Sequence, residues 1–197
     1  MPHLTLLSTV RPIKVARRCR RSRGLLAMKA VVQRVKSASV HVDGQQISAI
    51  KEGLLCLIGV TAKDNANDCD YILRKILNTR IFQNPANDRP WDMNPLVCAQ
   101  DGLSLPAFQA LSEVMQKEFG VLLVSQFTLC GVMKGNKPDY HLAMPPTDAR
   151  TFYADFVEMV KQKYAADRVH NGEFGAMMDV SLVNDGPVTL IFDSQSH

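Results

Sequence analysis

Between Met28 and Val60 the hydrophobic pattern changes period, and few architectures accommodate both halves. Ala30, Val32 and Arg34 alternate with Val31, Gln33 and Val35, and the alternation runs on through Ser39-Val40-His41-Val42. Successive side chains of a strand point to opposite faces, so this stretch reads as a strand. Asp43-Gly44, a pair that tolerates φ > 0, then closes a tight hairpin onto a second strand, Gln45 to Ile50. After Gly53 the alternation is gone, and Leu54-Leu55-Cys56-Leu57-Ile58-Gly59-Val60 is apolar throughout. That strand reads as buried on both faces.

Asn65 or Asn67 can cap a helix that runs to about Thr79, with Tyr71, Ile72, Lys75 and Ile76 at helical spacing, and Ile81-Phe82 returns to extended chain. Residues 83–106 are rich in Pro, Asn, Asp and Gly and predict a long surface loop. A helix is expected over 107–119, with Phe108, Leu111, Val114 and Met115 on one side, followed by the apolar strand Val121 to Val124. Beyond the polar stretch GVMKGNKPDYHLAMPP, Thr147 caps an amphipathic helix through about Tyr164, whose core face is Phe152, Phe156, Met159 and Val160. Met178 to Val183 and Val188 to Phe192 are two strands about the turn Asn184-Asp185-Gly186-Pro187, a hairpin by pattern. Strands dominate, helices number two or three, and no βαβ unit repeats. The expected class is α+β or barrel-like rather than doubly wound. One hydrophobic core can serve all 197 residues, so a single domain is expected.

The formal charge of +4 suggests nucleic acid until it is divided along the chain. Residues 1–27 hold seven bases (Arg11, Lys14, Arg17, Arg18, Arg20, Arg21, Arg23) and no acid, so the rest carries 16 bases against 19 acids, a net of −3. Any RNA contact by residues 28–197 then comes from a local patch or from shape, since bulk attraction to phosphate is missing there. The basic segment leaves three readings open: an organellar targeting peptide, a disordered basic arm, or a little-used upstream start, with the domain proper beginning at Met28. Five cysteines (Cys19, Cys56, Cys69, Cys98, Cys130), odd in number and without a CxxC, point to free thiols in a reducing compartment, the cytoplasm first of all. No apolar run approaches the ~18 residues of a membrane span, so no membrane anchor is expected.

The usual catalytic signatures are missing: there is no GxSxG, no HExxH and no Walker A loop. Gly131 to Lys137 imitates a phosphate loop with the wrong spacing and reads as a turn. His170 with Glu173 lacks companion ligands, so no metal is expected. Two segments place polar residues where burial is expected. Ser125-Gln126-Phe127-Thr128-Leu129 follows the strand end at Val124, where amides and hydroxyls either face a cleft or satisfy their own turn. Asn184-Asp185-Gly186-Pro187-Val188-Thr189 contains a Gly-Pro bond, and a cis isomer there would turn two successive carbonyls to one side as acceptors for an amino group. The pattern leaves the isomer open.

MKAVVQRVKSASVHVDG at Met28 to Gly44, GLLCLIGV, KILNTRIF, SQFTL, KGNKP and FGAMMDVSLVNDGPVTLIFDS at Phe174 to Ser194 run in order through residues 28–194, and with them the chain resembles the D-aminoacyl-tRNA deacylase family, also called D-tyrosyl-tRNA deacylase. The resemblance implies a homodimeric α+β enzyme built on a β-barrel-like sheet with flanking helices. It implies hydrolysis of the ester between a D-amino acid and the 3′-terminal adenosine of tRNA, with no cofactor and with neither DNA nor membrane as partner. Gly186 and Pro187 match the family's Gly-cisPro pair, which reaches into the partner subunit's site and holds the substrate's α-amino group, so that an L side chain meets protein. Arg34, at the arginine of the QRV motif, is expected to fix that loop across the dimer.

The same resemblance puts Ser125, Gln126, Phe127 and Thr128 beside the scissile carbonyl, orienting the ester and stabilising its oxyanion. Thr128 has two readings, nucleophile or positioning group beside a water activated with help from the tRNA's terminal 2′-hydroxyl. The second is preferred, because no base neighbours Thr128 in sequence. Phe174, Met178 and Ala143 match positions around the adenosine or aminoacyl group. Cys130 departs from the family, which commonly has Tyr there, the loop and helix at about 84–119 are longer than usual, and residues 1–27 are extra. Three rival readings remain: a catalytically silent module binding RNA ends or protein, a general esterase, and an editor of glycine or L-alanine mischarged on tRNA.

Overall fold

The computed structural model describes residues 27–84, 89–95 and 119–195. β1 (Lys29–Val42) and β2 (Gln45–Ile50) form the expected hairpin, with Asp43 at φ 50° and Gly44 at φ 78°. Positive φ at both central residues matches the twist of the paired strands. β1 is long enough to serve three neighbours. β2 and β3 (Gly53–Gly59) share one of its edges, and β10 (Asp179–Asp193) runs antiparallel along the other. β3 pairs in parallel with β6 (Gly120–Ser125), and β6 with β9 (Val169–Asn171), giving the order β10-β1-β3-β6-β9. The mixed sheet curls into a nearly closed, barrel-like form within one α+β domain.

Alternate residues of β3 and β6 go to opposite sides. Leu54, Cys56, Ile58, Val121 and Leu123 join the core under the helices, while Leu55, Leu122 and Val124 pack with Val35, Ala38, Val40 and Ile50 inside the curl. The two-sided burial expected of residues 54–60 is the consequence of a central position in the sheet. α1 (Ala66–Asn78) closes one face with Ile72, Leu73, Ile76 and Leu77. Asn65 is its cap: the side-chain oxygen accepts the Asn67 N–H at 2.9 Å, and Asp68 accepts the Asn65 N–H at 3.0 Å. Such a reciprocal box stabilises the helix by about 1 kcal/mol. Cys56, Cys69 and Cys130 are buried free thiols, whereas Cys19 and Cys98 lie outside the described residues.

Three expectations need correction. The surface loop over 83–106 gives way, in its first part, to a hairpin of β4 (Phe82–Asn84) and β5 (Arg89–Met93). Phe82 and Met93 are buried, and Phe82 stacks on Phe119 with centroids 4.0 Å apart, so apolar anchoring outweighs the turn-rich composition. Residues 96–106, and the helix expected over 107–119 apart from Phe119, lie outside the described residues. The second long helix, α2 (Pro146–Lys163), is capped at Pro145 rather than Thr147. Pro at the first helical position loses no hydrogen bond, because that N–H has no partner within the helix anyway. Its buried face is Ala149, Tyr153, Phe156, Val157 and Val160, with Phe152 and Met159 only half-buried.

Finally, Asn184 to Pro187 is not a hairpin. Val183 pairs with Ser37 and Val188 with Arg34, so both flanking segments lie on β1 and Asp185-Gly186-Pro187 bulges out of one continuous strand. A 14-residue β1 can template both halves, and nothing requires them to pair with each other. Two further short strands, β7 (Val132–Lys134) and β8 (Lys137–Asp139), make a small hairpin after the SQFTL segment.

Candidate functional site

Ser125 is the last residue of β6 and lies in register with Ile58 of β3. The Gln126 N–H donates to the Ile58 carbonyl at 2.7 Å, which ends the parallel ladder and turns the chain into a single 3-10 turn, Phe127–Cys130. That turn sits directly on Gly59, where a Cβ would come within 2.7 Å of the Leu129 Cβ. Cys130 points inward and its thiol donates to the Val60 carbonyl at 3.3 Å; burial pushes the thiol up to about 11.

The facing wall comes from the chain before α2. Ala143 forms a bridge with Thr61, and the Met144 N–H donates to the Val60 carbonyl at 3.1 Å, which carries Pro145, Pro146 and Ala149 to the same cleft. Tyr153 and Phe174 add a further wall, their rings tilted with centroids 5.8 Å apart. Together with Ile58, Val60, Ser125, Gln126, Phe127, Tyr140 and Gly175 these residues line a cavity of about 490 Å³. No carboxylate, imidazole, amine or thiol lines it. Tyr153 donates its phenol proton to Asn171 Oδ1 at 2.8 Å, and burial drives its pKa far above the ordinary 10.0. The wall thus offers hydrogen bonds and shape without a built-in general base.

At the mouth, Phe127 and Tyr140 are exposed and meet edge to face with centroids 5.0 Å apart. A Cβ on Gly131 would touch the Tyr140 ring at 2.8 Å, so glycine there lets the two segments meet. Beside them Asp139 is ion-paired to Lys134 and accepts from the His141 N–H at 3.0 Å and its Nδ1 at 2.7 Å. The Lys134 ammonium, with help from His141, holds the Asp139 carboxyl well below its usual range. Thr128 is exposed, does not line the cavity, and its hydroxyl accepts from the Gln126 amide.

A second constellation lies at the other end of the sheet. Arg34 donates from Nε to the Asp185 carboxylate at 2.8 Å and to the Asp185 carbonyl at 3.3 Å, and from Nη1 to the Ile81 carbonyl. Its guanidinium also stands 6.0 Å from the centre of the Trp91 ring. The bulge it braces carries the Gly186–Pro187 bond, which is cis. Gly186 has φ +118°, and a Cβ there would lie 2.9 Å from Val188 Cγ2 and 3.2 Å from Arg34 Nη2. Arg34 thus fixes the Gly-Pro loop from within its own chain.

Of the residues singled out from sequence, Ser125, Gln126, Phe127, Ala143 and Phe174 meet in the cavity, while Thr128 sits just outside it. Met178 packs under Gly172 and against the cluster inside the curl. Arg34, Gly186 and Pro187 do not line this cavity. Tyr140, Tyr153 and Gly175 escaped sequence reading: Tyr140 lies in a polar stretch, and Tyr153 has the helical spacing of a core residue. Among the described residues no cluster of His, Cys, Asp and Glu could hold a metal, and no helix is long and apolar enough to cross a membrane.

A barrel-like sheet, two packed helices and a cleft at a strand end whose lining carries no charged side chain define an α+β domain. The profile of the D-Tyr-tRNA(Tyr) deacylase family matches residues 31–193, and the chain belongs to that family. It is 46% identical over 168 residues to the D-aminoacyl-tRNA deacylase of Dictyostelium discoideum, covering 85% of this chain and 99% of that one. Against D-aminoacyl-tRNA deacylase 1 of Homo sapiens the identity is 42% over 167 residues, 85% of this chain and 70% of the relative. A solved structure of the c-Myc DNA unwinding element binding protein superposes with a TM-score of 0.70 at 41% identity, over 83% of this chain and 97% of that one.

Proposed function

We propose that this chain hydrolyses the ester joining a D-amino acid to the 3′-terminal adenosine of tRNA, releasing the free D-amino acid and reusable tRNA. The observation that carries the reading is the uncharged cleft with Ser125, Gln126 and Phe127 at its edge, in a member of the deacylase family. An aminoacyl ester is labile already, so positioning and stabilisation of the oxyanion suffice for large acceleration. The first amides of the 3-10 turn, at Phe127 and Thr128, have no acceptor within the turn and suit a developing oxyanion. A water oxygen bonds to the carbonyl carbon, the bond to the ribose 3′-oxygen breaks, and that oxygen leaves with one of the water's protons. The substrate's terminal 2′-hydroxyl helps to activate the water, since the cavity lining supplies no base.

Handedness is read by a second copy of the chain. Arg34 lies four β1 residues from Ala30, the partner of Ile58, so the Gly186-Pro187 bulge is displaced from its own Ser125 by roughly 13 Å along the strands and by three inter-strand spacings, about 14 Å, across them. A bulge that is exposed and braced by Arg34 is presented outward, to a partner's cleft. There its carbonyls hold the α-amino group, and an L side chain collides with protein. The domain begins at Met28, whose carbonyl accepts the Ser194 N–H at 3.0 Å. Residues 1–27 stand ahead of it as a basic extension. The reaction belongs where tRNA is charged, in the cytoplasm, with an organelle as the second address that residues 1–27 leave open.

The test is deacylation of labelled D-Tyr-tRNA, L-Tyr-tRNA and Gly-tRNA side by side. D-Tyr-tRNA is expected to be cleaved and L-Tyr-tRNA spared; D-Tyr-tRNA that stays intact with protein in excess overturns the proposal. Cleavage of Gly-tRNA faster than D-Tyr-tRNA would move the assignment to glycine editing. Gly186→Ala forces a side chain into an occupied space at a positive φ, displaces the bulge, and is expected to narrow the D-to-L rate ratio by about tenfold or more.

A further inference from the structure

The cavity lining carries no charge, yet an aminoacyl-tRNA enters it behind a phosphodiester. We propose that Arg150 binds the phosphate on the 5′ side of the terminal adenosine and so fixes how deeply that nucleotide sits. The assignment rests on the deacylase reading and deepens it. Arg150 follows Ala149, a residue of the cavity wall, in the second turn of α2. Its guanidinium stands over Phe174, another wall residue, with Cζ 5.0 Å from the ring centre. A Cβ on Gly175, the next residue of that wall, would lie 3.6 Å from Arg150 Nη2. Two neighbours therefore hold the group at the rim of the cleft while its side chain stays exposed.

Among the described residues no carboxylate pairs with Arg150. Arg34 and Arg74 are engaged by Asp185 and Asp70, and Lys134 and His141 near the mouth are both engaged by Asp139. A guanidinium laid on an aromatic ring keeps its forked donors free, is weakly hydrated, and matches two oxygens of a phosphate at once. Adenosine and the amino acid occupy the cavity, so the phosphate falls at its rim, where Arg150 stands over Phe174. On a domain whose net charge is −3 over residues 28–197, a single fixed cation at that point matters more than it would on a basic protein.

Two non-hydrolysable ligands test the assignment: 3′-(D-tyrosylamino)-3′-deoxyadenosine, and the same compound carrying a 5′-methylphosphate, which has the single charge of the diester. Binding of each to wild type and to Arg150→Gln is measured by calorimetry, with thermal melting to confirm the fold. Wild type is expected to prefer the phosphorylated ligand by about tenfold. Arg150→Gln is expected to lose that preference while binding the unphosphorylated ligand as wild type does, and Arg150→Lys to keep part of it. An Arg150→Gln protein that retains the preference, or that weakens both ligands alike, overturns the assignment. Wild-type protein that binds neither ligand overturns the deacylase reading and this assignment with it.

Discussion

Thr128 shows how a residue's type and its surroundings divide the work of identification. In sequence its hydroxyl reads either as a nucleophile or, by preference, as a positioning group; in the structure it sits outside the cavity lining and faces the Gln126 amide, with no imidazole or amine among the wall residues. An unactivated hydroxyl is a weak nucleophile. Thr128→Ala is therefore expected to keep kcat/KM for D-Tyr-tRNA within about fivefold of wild type, less than the 1.4 kcal/mol that a tenfold loss represents. A folded Thr128→Ala protein without measurable turnover would restore Thr128 as nucleophile. Ser125 and Gln126 stand out in sequence as polar residues at the end of a buried strand, facing a cleft or satisfying their own turn, and the structure places both on the cavity wall. Tyr153 was not, since a tyrosine at helical spacing looks the same whether its hydroxyl meets a ligand or, as here, Asn171.

The entry to α1 is an element built from local polar chemistry, and it makes stability depend on pH. Asp64 is buried just ahead of the cap, with its carboxylate accepting the Thr61 N–H at 2.6 Å and the Thr61 hydroxyl at 2.7 Å. Burial raises its pKa above the ordinary 3.8, the nearby Asp68 adds to the rise, and the bonds from Thr61 and Met28 oppose it. The folded protein then holds this proton more tightly than the unfolded chain does. The resulting contribution is fully present below 3.8 and is lost as pH rises through the native value. Urea unfolding of wild type and Asp64→Asn across the acid range should show a wild-type stability that falls with rising pH relative to the variant. The difference isolates Asp64 from Asp139, whose lowered pKa acts with the opposite sign. Parallel slopes for the two proteins would remove Asp64 as the source. Helix α1 is legible to a cap at Asn65 or Asn67, since capping is local, and the structure takes Asn65, while the cap of α2 was misplaced because Thr147 is a good capping residue standing one position past a proline that already begins the helix.

On the scale of the molecule, β10 is the telling feature. Fifteen residues of strand lie at the open edge of the sheet, with Val183 54% and Ile191 73% exposed. Long apolar edges are normally covered. On the proposed reading, a second copy of this chain covers that edge and the Gly186-Pro187 bulge reaches the neighbouring cleft. Wild type is expected to sediment as a dimer, and Ile191→Lys to shift toward monomer and lose deacylation in proportion. A monomeric wild type with full activity and full D-over-L selectivity would end the cross-subunit account.

Patterns carried within a few residues specified the strands about Asp43-Gly44, the two-faced burial of β3, the capped α1 and the polar end of β6, because period, turn chemistry and capping are local properties of the chain. Partners distant in sequence specified the rest. Whether Val183 and Val188 pair with each other or with β1 depends on the length of a strand some 150 residues earlier. Whether Arg150 is a solvated helix residue or the rim of a cleft depends on Phe174 arriving beneath it, a contact that no local pattern encodes.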